Sequence, residues 1–174
     1  MYKILESYFG FKEFKCGQKE VIDKIINNES AIAIFATGSG KSLCYQLPAL
    51  KLTNLTLVIS PLLSLMQDQL EFLNSKNIPS GKIDSTQSKD EFLKIMNDAK
   101  KQKIKILMIS PERMNNEIFR SYLKDIKIDL IVVDEAHSIS EWGHNFRPDY
   151  LKIPIYMKEF NIKNSLLLTA TATP

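Results

Sequence analysis

Five short apolar runs, each of strand length, alternate with segments of helical character along this chain. They span residues 31–35, 55–59, 104–109, 130–133 and 166–168, and none shows polar alternation. Strands buried on both faces have this composition. Strands that alternate with helices require right-handed crossovers, so the pattern predicts an α/β fold with a parallel sheet and helices on both faces. Ligands of such a fold bind at the carboxyl ends of the strands.

Local signals place several helix starts. The clearest predicted helix covers residues 88–99, where Ser88 and Glu91 have the spacing of a capping box. Two apolar runs end in serine and proline, at residues 60–61 and 110–111. Serine is typical of the N-cap and proline of the first helical turn, so both pairs predict helix starts.

Length and composition indicate one domain over residues 1–174, because 174 residues with 44% apolar content can bury a single core. The formal charge of +3 permits a polyanionic partner without identifying one. Two cysteines and two histidines are too few for a disulfide framework or a tetrahedral zinc site. The apolar runs are too short to span a bilayer, and residues 1–10 lack a signal pattern, so we expect a cytoplasmic protein without a membrane partner.

A phosphate-binding loop is predicted at residues 35–42, between the first apolar run and a helical stretch at residues 43–50. Backbone N–H groups of such a loop converge on phosphate oxygens, and the following helix adds its positive end. Lys41 is expected to reach the terminal phosphates, and Ser42 to offer a hydroxyl to Mg²⁺. The loop residues expected to hold ATP are Thr37, Gly38, Ser39, Gly40, Lys41 and Ser42. Phe35 stands where the strict pattern has its first glycine.

Two adjacent carboxylates, Asp134 and Glu135, follow the apolar run at residues 130–133. We predict that Asp134 holds the Mg²⁺ hydration shell and that Glu135 orients and deprotonates the water that attacks the γ-phosphate. A zinc-protease site is the alternative for Glu135 and His137. The two-histidine spacing of that site is missing here.

Together these motifs resemble superfamily-two helicases, and nearly the whole chain is similar to the RecQ family of DNA helicases. The resemblance implies a RecA-like P-loop NTPase domain whose DEAH box, residues 134–137, includes His137 among the catalytic residues. Residues 9–18 are similar to the adenine-recognition segment of that family, which implies ATP contacts by Phe11, Lys15 and Gln18. The chain has Phe11, Lys15 and Cys16 where the common pattern has tyrosine, arginine and proline.

The remaining family-like motifs concern nucleic acid. Residues 58–69 and 109–114 look like the two motifs that track the DNA backbone, which implies contacts by Ser60, Pro61 and Ser110. Residues 137–150 are similar to the aromatic-rich loop of RecQ enzymes, and the implied DNA-binding residues there are Trp142, Phe146 and Arg147. Residues 168–172 resemble the motif whose hydroxyls, here Thr169 and Thr171, link nucleotide state to DNA contacts.

The resulting expectation is the first motor domain of an ATP-dependent DNA helicase that uses ATP and Mg²⁺. The resemblance implies 3′ to 5′ movement in recombination and repair, single-stranded DNA and duplex junctions as partners, and a second RecA-like lobe that this sequence does not contain. Two alternatives stay open: an RNA helicase or other superfamily-two motor, and a non-catalytic ATP-binding module.

Overall fold

The computed structural model of this chain describes residues 1–139 and 147–170. Its centre is a sheet of six parallel strands in the order β1-β6-β5-β2-β4-β3. The strands are β1 (Ala31–Ile34), β2 (Leu55–Ile59), β3 (Ser80–Ile83), β4 (Ile106–Ile109), β5 (Ile128–Val133) and β6 (Asn164–Thr169). The helices are α1 (Tyr2–Ile4), α2 (Gln18–Ile26), α3 (Leu43–Lys51), α4 (Leu63–Ser75), α5 (Lys89–Lys100), α6 (Glu117–Leu123) and α7 (Ile153–Glu159). A π-helical turn (Leu5–Phe9) follows α1, and 3-10 turns lie at Pro111–Asn115, Ala136–Ile139 and Pro148–Lys152.

Helices cover both faces of the sheet and divide the core into two layers. Side chains of α2, α3 and α4 pack on one face together with Val58 and Val132. Side chains of α5, α6 and α7 pack on the other face together with Ile59 and Val133. Successive residues of a strand therefore enter opposite layers, as the pleat requires. The predicted α/β fold, with a parallel sheet covered on both faces, is confirmed.

The prediction that all five apolar runs are buried on both faces is wrong for β1. The central strands β2 and β4 are buried at every residue. In β1, Ala33 is 3% exposed, whereas Ile32 and Ile34 are 70% and 55% exposed. The reason is position, because β1 is the edge strand beside β6 and no described helix covers its second face.

The strand β3 is absent from the predicted set. Its sequence, Ser80-Gly81-Lys82-Ile83, has two residues that are depleted in strands and only one large apolar side chain. It forms by pairing with β4 at the far edge of the sheet, so tertiary context supplies what local propensity does not. Elsewhere the predicted runs lie within one to two residues of the observed strand ends.

The predicted helix starts have mixed outcomes. Ser88 caps α5 through the full capping box with Glu91, and this prediction is confirmed. The predicted start at Ser60 is wrong, because α4 begins at Leu63 and Leu62 occupies its N-cap. At Ser110 a start occurs with Pro111 in the first turn, but the turn is 3-10 and the serine side chain makes no capping hydrogen bond. Among the described residues, no helix is both long enough and apolar enough to cross a membrane.

Candidate nucleotide and nucleic-acid site

The loop between β1 and α3 has the backbone that phosphate binding requires. Gly38 and Gly40 have φ angles of 76° and 83°, in the left-handed region that favours glycine. The Phe35 amide donates to the Thr169 carbonyl of β6 at 3.0 Å, which fixes the start of the loop at the sheet edge. The helix α3 then begins at Leu43, one residue after Ser42, as predicted. The loop therefore presents Thr37 to Ser42 at the carboxyl ends of β1 and β6.

Phe35, at the position of the first glycine of the strict pattern, has a packing role. A Cβ atom built on Gly17 would lie 3.0 Å from the Phe35 ring, so the ring lies directly against the backbone that precedes α2. Gly17 itself has a φ of 78°, which a residue with a side chain adopts only with strain. Phe35, which replaces the first glycine of the pattern, thus packs the phosphate loop against the segment predicted to bind adenine.

Gln18 links the same two segments by hydrogen bonds. Its side-chain amide donates to the carbonyls of Ser39 and Gly40, each at 3.1 Å, and its carbonyl oxygen accepts from the Lys15 amide at 2.8 Å. The Lys15 ammonium lies 3.5 Å from the Gly38 carbonyl. Phe11 remains 53% exposed. The structure therefore brings the predicted adenine segment onto the phosphate loop, with the Gln18 side chain bound to loop carbonyls.

The two predicted acidic residues lie where β5 ends. The Asp134 amide continues the sheet by donating to the Ile59 carbonyl at 2.9 Å, and the Glu135 amide donates to the Asp134 carboxylate at 3.0 Å. Burial, and next the negative charge of Glu135, raises the pKa of Asp134 above its usual range. The Glu135 amide, Lys41 and His137 oppose this increase. Such a carboxyl group favours a nearby cation, which would restore its ionised form.

Glu135 connects the loop lysine to the rest of the DEAH box. Its carboxylate lies 3.9 Å from the Lys41 ammonium and 3.2 Å from Nδ1 of His137. That Nδ1 also lies 3.0 Å from the Thr169 hydroxyl at the end of β6. Three strand ends, those of β1, β5 and β6, therefore contribute to one continuous set of polar side chains.

The residues predicted to hold Mg²⁺ share one small cavity. Ser42 and Asp134 line it together with Ser60. Ser60 is 4% exposed, and its hydroxyl makes no hydrogen bond within the part of the chain that the structure describes. Hydroxyl and carboxylate oxygens are the donors that Mg²⁺ prefers, so the residues present fit this ion. The cavity also explains the failed helix start, because the Ser60 side chain points inward.

A second cleft contains three of the residues predicted to contact nucleic acid. Pro61, Ser110 and Arg147 line a cavity of about 440 Å³ that opens between the ends of β2 and β4. Arg147 forms an ion pair of 2.9 Å with Glu112 at this cleft. Ser60 is not among its lining residues. The predicted residues Trp142, Phe146 and Thr171 lie outside the described residues.

Three residues of this region were not assigned a role from the sequence. Arg113 and Ser85 line the second cleft, and the Arg113 guanidinium donates to the Asp84 carbonyl at 2.8 Å. Tyr150 is 1% exposed, and its hydroxyl donates to the Asp134 carbonyl at 2.9 Å. Arg113 and Tyr150 both lie inside stretches that the motifs cover, but their partners, Asp84 and Asp134, are 29 and 16 residues away in sequence, which no local pattern reveals.

Comparisons with known proteins agree with this geometry. The DEAD/DEAH box helicase family profile matches residues 15–174. The chain is 43% identical over 173 residues to the ATP-dependent DNA helicase RecQ of Bacillus subtilis, with 98% of this chain and 29% of the relative covered. It is 41% identical over 169 residues to RecQ of Haemophilus influenzae, covering 97% and 27%, and 42% identical over 172 residues to the ATP-dependent DNA helicase Q-like 5 of Arabidopsis thaliana, covering 98% and 19%.

A solved structure with the same fold is that of a hypothetical ATP-dependent RNA helicase from Sulfolobus tokodaii, with a TM-score of 0.71 and 21% identity. The match covers 98% of this chain and 51% of that chain, and at this identity it shows the fold alone. This chain spans less than a third of the length of the RecQ relatives above. The resemblance to RecQ helicases is confirmed, and the chain belongs to the DEAD/DEAH box helicase family.

Proposed function

We propose that this chain is the ATP-binding motor domain of an ATP-dependent DNA helicase. The observation that carries the proposal is the convergence of Lys41, Glu135, His137 and Thr169 at one sheet edge, within 3.0 to 3.9 Å of their neighbours. The Lys41 ammonium faces the Glu135 carboxylate at 3.9 Å, so the terminal phosphate of a nucleotide would take the place of this carboxylate beside the lysine. The RecQ names of the relatives support the choice of ATP and DNA.

Each residue then has a role that its surroundings support. Lys41 binds the terminal phosphates, and Glu135 holds the attacking water in line and accepts its proton. Ser42 and Asp134 would hold Mg²⁺, which neutralises charge on the phosphate oxygens when bound. Phe11, with its exposed ring, offers a stacking surface for adenine, and Gln18 either recognises the adenine edge or holds the loop.

His137 provides a route from the nucleotide to the rest of the motor. Its Nδ1 lies between the Glu135 carboxylate and the Thr169 hydroxyl, so a shift of Glu135 on phosphate binding alters a contact at the end of β6. Thr169 leads directly into Thr171, the second residue proposed for coupling. This arrangement supports the proposal that nucleotide state is linked to DNA contacts through β6.

The cleft of Pro61, Ser110 and Arg147 is proposed to hold the DNA backbone, and Trp142 and Phe146 are proposed to stack on single-stranded bases. Because the chain is much shorter than its RecQ relatives, a second RecA-like lobe is proposed as its partner in the whole protein. Duplex junctions as substrates and 3′ to 5′ movement remain predictions from the family resemblance, and a cytoplasmic location remains a prediction from the sequence.

The test is ATP turnover by the whole protein that carries this chain, measured with matched single strands of DNA and of RNA. DNA should stimulate turnover more strongly than RNA, and Lys41→Ala should abolish the stimulated rate. Stronger stimulation by RNA would favour the RNA helicase alternative. Turnover that neither polymer stimulates would contradict a nucleic-acid motor and favour a plain ATP-binding module.

A further inference from the structure

A closed set of hydrogen bonds joins the base of residues 140–146 to the acidic pair. The Ser138 amide donates to the Glu135 carbonyl at 3.0 Å, and the Arg147 amide donates to the Ser138 carbonyl at 3.1 Å. The Tyr150 amide then donates to the Arg147 carbonyl at 3.0 Å, and the Tyr150 hydroxyl donates to the Asp134 carbonyl at 2.9 Å. Three residues of the predicted aromatic-rich loop, Ser138, Arg147 and Tyr150, are therefore connected by hydrogen bonds to both carboxylate residues.

Tyr150 acts on the peptide group between Asp134 and Glu135. The carbonyl of this group accepts from the Tyr150 hydroxyl, and its N–H donates to the Asp134 carboxylate. Glu135 follows with a φ of 53°, a left-handed conformation that costs energy for a residue with a side chain. Such strain persists only where the surroundings hold it, and it is typical of functional sites. Rotation of this peptide group would redirect both carboxylates at once.

The same tyrosine lies in a 3-10 turn that contacts the second cleft. Within the turn Pro148–Lys152, the Lys152 ammonium donates to the Asn115 side chain at 3.0 Å, and Asp149 accepts from Asn115. Arg147, just before the turn, pairs with Glu112. Glu112 and Asn115 both belong to the turn that follows Ser110. The turn that carries Tyr150 is thereby fastened to the segment proposed to hold the DNA backbone.

We infer that Tyr150 is a positioning residue, which holds the Asp134–Glu135 peptide group in its strained orientation and relays DNA-induced shifts of the Arg147 segment to the Mg²⁺ carboxylate. The part of this inference that concerns DNA rests on the proposed function. The second part of the inference, that Tyr150 orients Asp134 toward Mg²⁺, can be tested on this chain alone.

The test compares Tyr150→Phe with Tyr156→Phe. Tyr156 is a control for the Mg²⁺ and exchange readouts, because it is 5% exposed and its hydroxyl makes one hydrogen bond, to the Asn115 side chain at 2.7 Å, while none to Asp134 is observed. Since the same Asn115 oxygen also accepts from Lys152, the DNA-stimulated rate of Tyr150→Phe is compared with that of the unchanged protein. Both variants lose one hydroxyl and keep the ring, so both should melt slightly below the unchanged protein. Thermal melting establishes that each variant folds.

Two readouts separate positioning from general packing. In this chain, calorimetry measures the affinity for a non-hydrolysable ATP analogue with Mg²⁺ and with a chelator. Tyr150→Phe should lower the gain in affinity that Mg²⁺ provides by about tenfold, and Tyr156→Phe should leave it unchanged. In the whole protein, Tyr150→Phe should lower the DNA-stimulated rate by about tenfold while the Michaelis constant for ATP changes little.

Amide exchange adds a readout independent of nucleotide. The amides of Ser138 and Arg147 should exchange faster in Tyr150→Phe than in Tyr156→Phe, because the ring of hydrogen bonds is open. If the two variants match in Mg²⁺ gain and exchange, and Tyr150→Phe keeps the DNA stimulation of the unchanged protein, Tyr150 is only a packing residue and the inference is overturned. A whole protein without any DNA stimulation contradicts the proposed function instead, and the Mg²⁺ gain in this chain still decides the role of Tyr150.

Discussion

Replacing Glu135 by glutamine tests the arrangement of charge at the nucleotide site. In this structure the Glu135 carboxylate lies 3.9 Å from the Lys41 ammonium, and the two side chains are only 23% and 16% exposed. An incoming phosphate competes with Glu135 for the lysine and is repelled by the carboxylate. Glutamine keeps the size of the side chain and removes the negative charge. We therefore expect Glu135→Gln to bind ATP more tightly and to hydrolyse it far more slowly.

The distance sets the size of the effect. Two unit charges near 4 Å interact by about 1 kcal/mol at the dielectric constant of water and about 4 kcal/mol at an effective constant of about 20. Desolvation of the pair offsets much of the larger value, so we take a net effect near the lower limit, about 1 kcal/mol. Because about 1.4 kcal/mol is tenfold in affinity, binding should tighten about fivefold. Loss of the general base should slow turnover by about 10² to 10⁴.

Calorimetric titration of this chain with Mg²⁺ and a non-hydrolysable ATP analogue measures the binding effect. Lys41→Ala should weaken ATP binding. Glu135→Gln should increase the affinity less in the Lys41→Ala variant than in the unchanged protein, because the ion pair is already absent. Turnover is measured on the whole protein with saturating single-stranded DNA. Unchanged or weaker binding by Glu135→Gln would refute the competition between carboxylate and phosphate, whatever happens to the rate.

Three further predictions follow from other parts of the molecule. Arg147→Ala should sharply lower DNA-stimulated turnover while the calorimetric affinity for ATP stays near normal. Full DNA stimulation in this variant would show that Arg147 and its ion pair with Glu112 have a structural role only. Asp84 is buried, and burial by itself raises the pKa of its carboxyl group. The Lys82 ammonium and the hydrogen bonds that the carboxylate accepts outweigh this effect and lower the pKa to about 2, below the usual value of 3.8. Its contribution, about 2 kcal/mol of unfolding free energy, should be present at neutral pH and lost as the pH falls from about 5 to about 2, so urea unfolding of Asp84→Asn and the unchanged protein should converge at low pH. Ile34→Thr should reduce self-association of this chain in light scattering without altering ATP binding, because it removes apolar area from the exposed face of the edge strand.

Much of the fold and of the nucleotide site follows from local patterns. The apolar run at residues 55–59 predicts a buried strand because it is short and rich in β-branched residues. Ser88 and Glu91 predict the start of α5 because a capping box is a contact between residues three apart. Gly38 and Gly40 predict the backbone of the phosphate loop because few other residues adopt its positive φ angles. Each of these depends on near neighbours in the chain.

Other features depend on residues distant in sequence. The exposure of Ile32 and Ile34 follows from the place of β1 at the sheet edge, and the strand order is a property of the whole topology. The Ser60 side chain is buried and lines the cavity beside Asp134, although the local pattern equally suits a helix cap. A serine side chain at such a position can either bond to the backbone of the following helix or point into the fold, and only tertiary packing decides between the two.

Tyr150 shows most clearly the difference between what the sequence determines and what the tertiary structure determines. The sequence itself determines that a tyrosine ends the aromatic-rich segment and that two carboxylates follow an apolar run. The folded sheet determines that the Tyr150 hydroxyl meets the Asp134 carbonyl across sixteen residues, and that Glu135 stays left-handed beside it. A sequence pattern specifies which groups are present and their near neighbours, whereas a strained peptide group is stable only when contacts from several strands and turns hold it together.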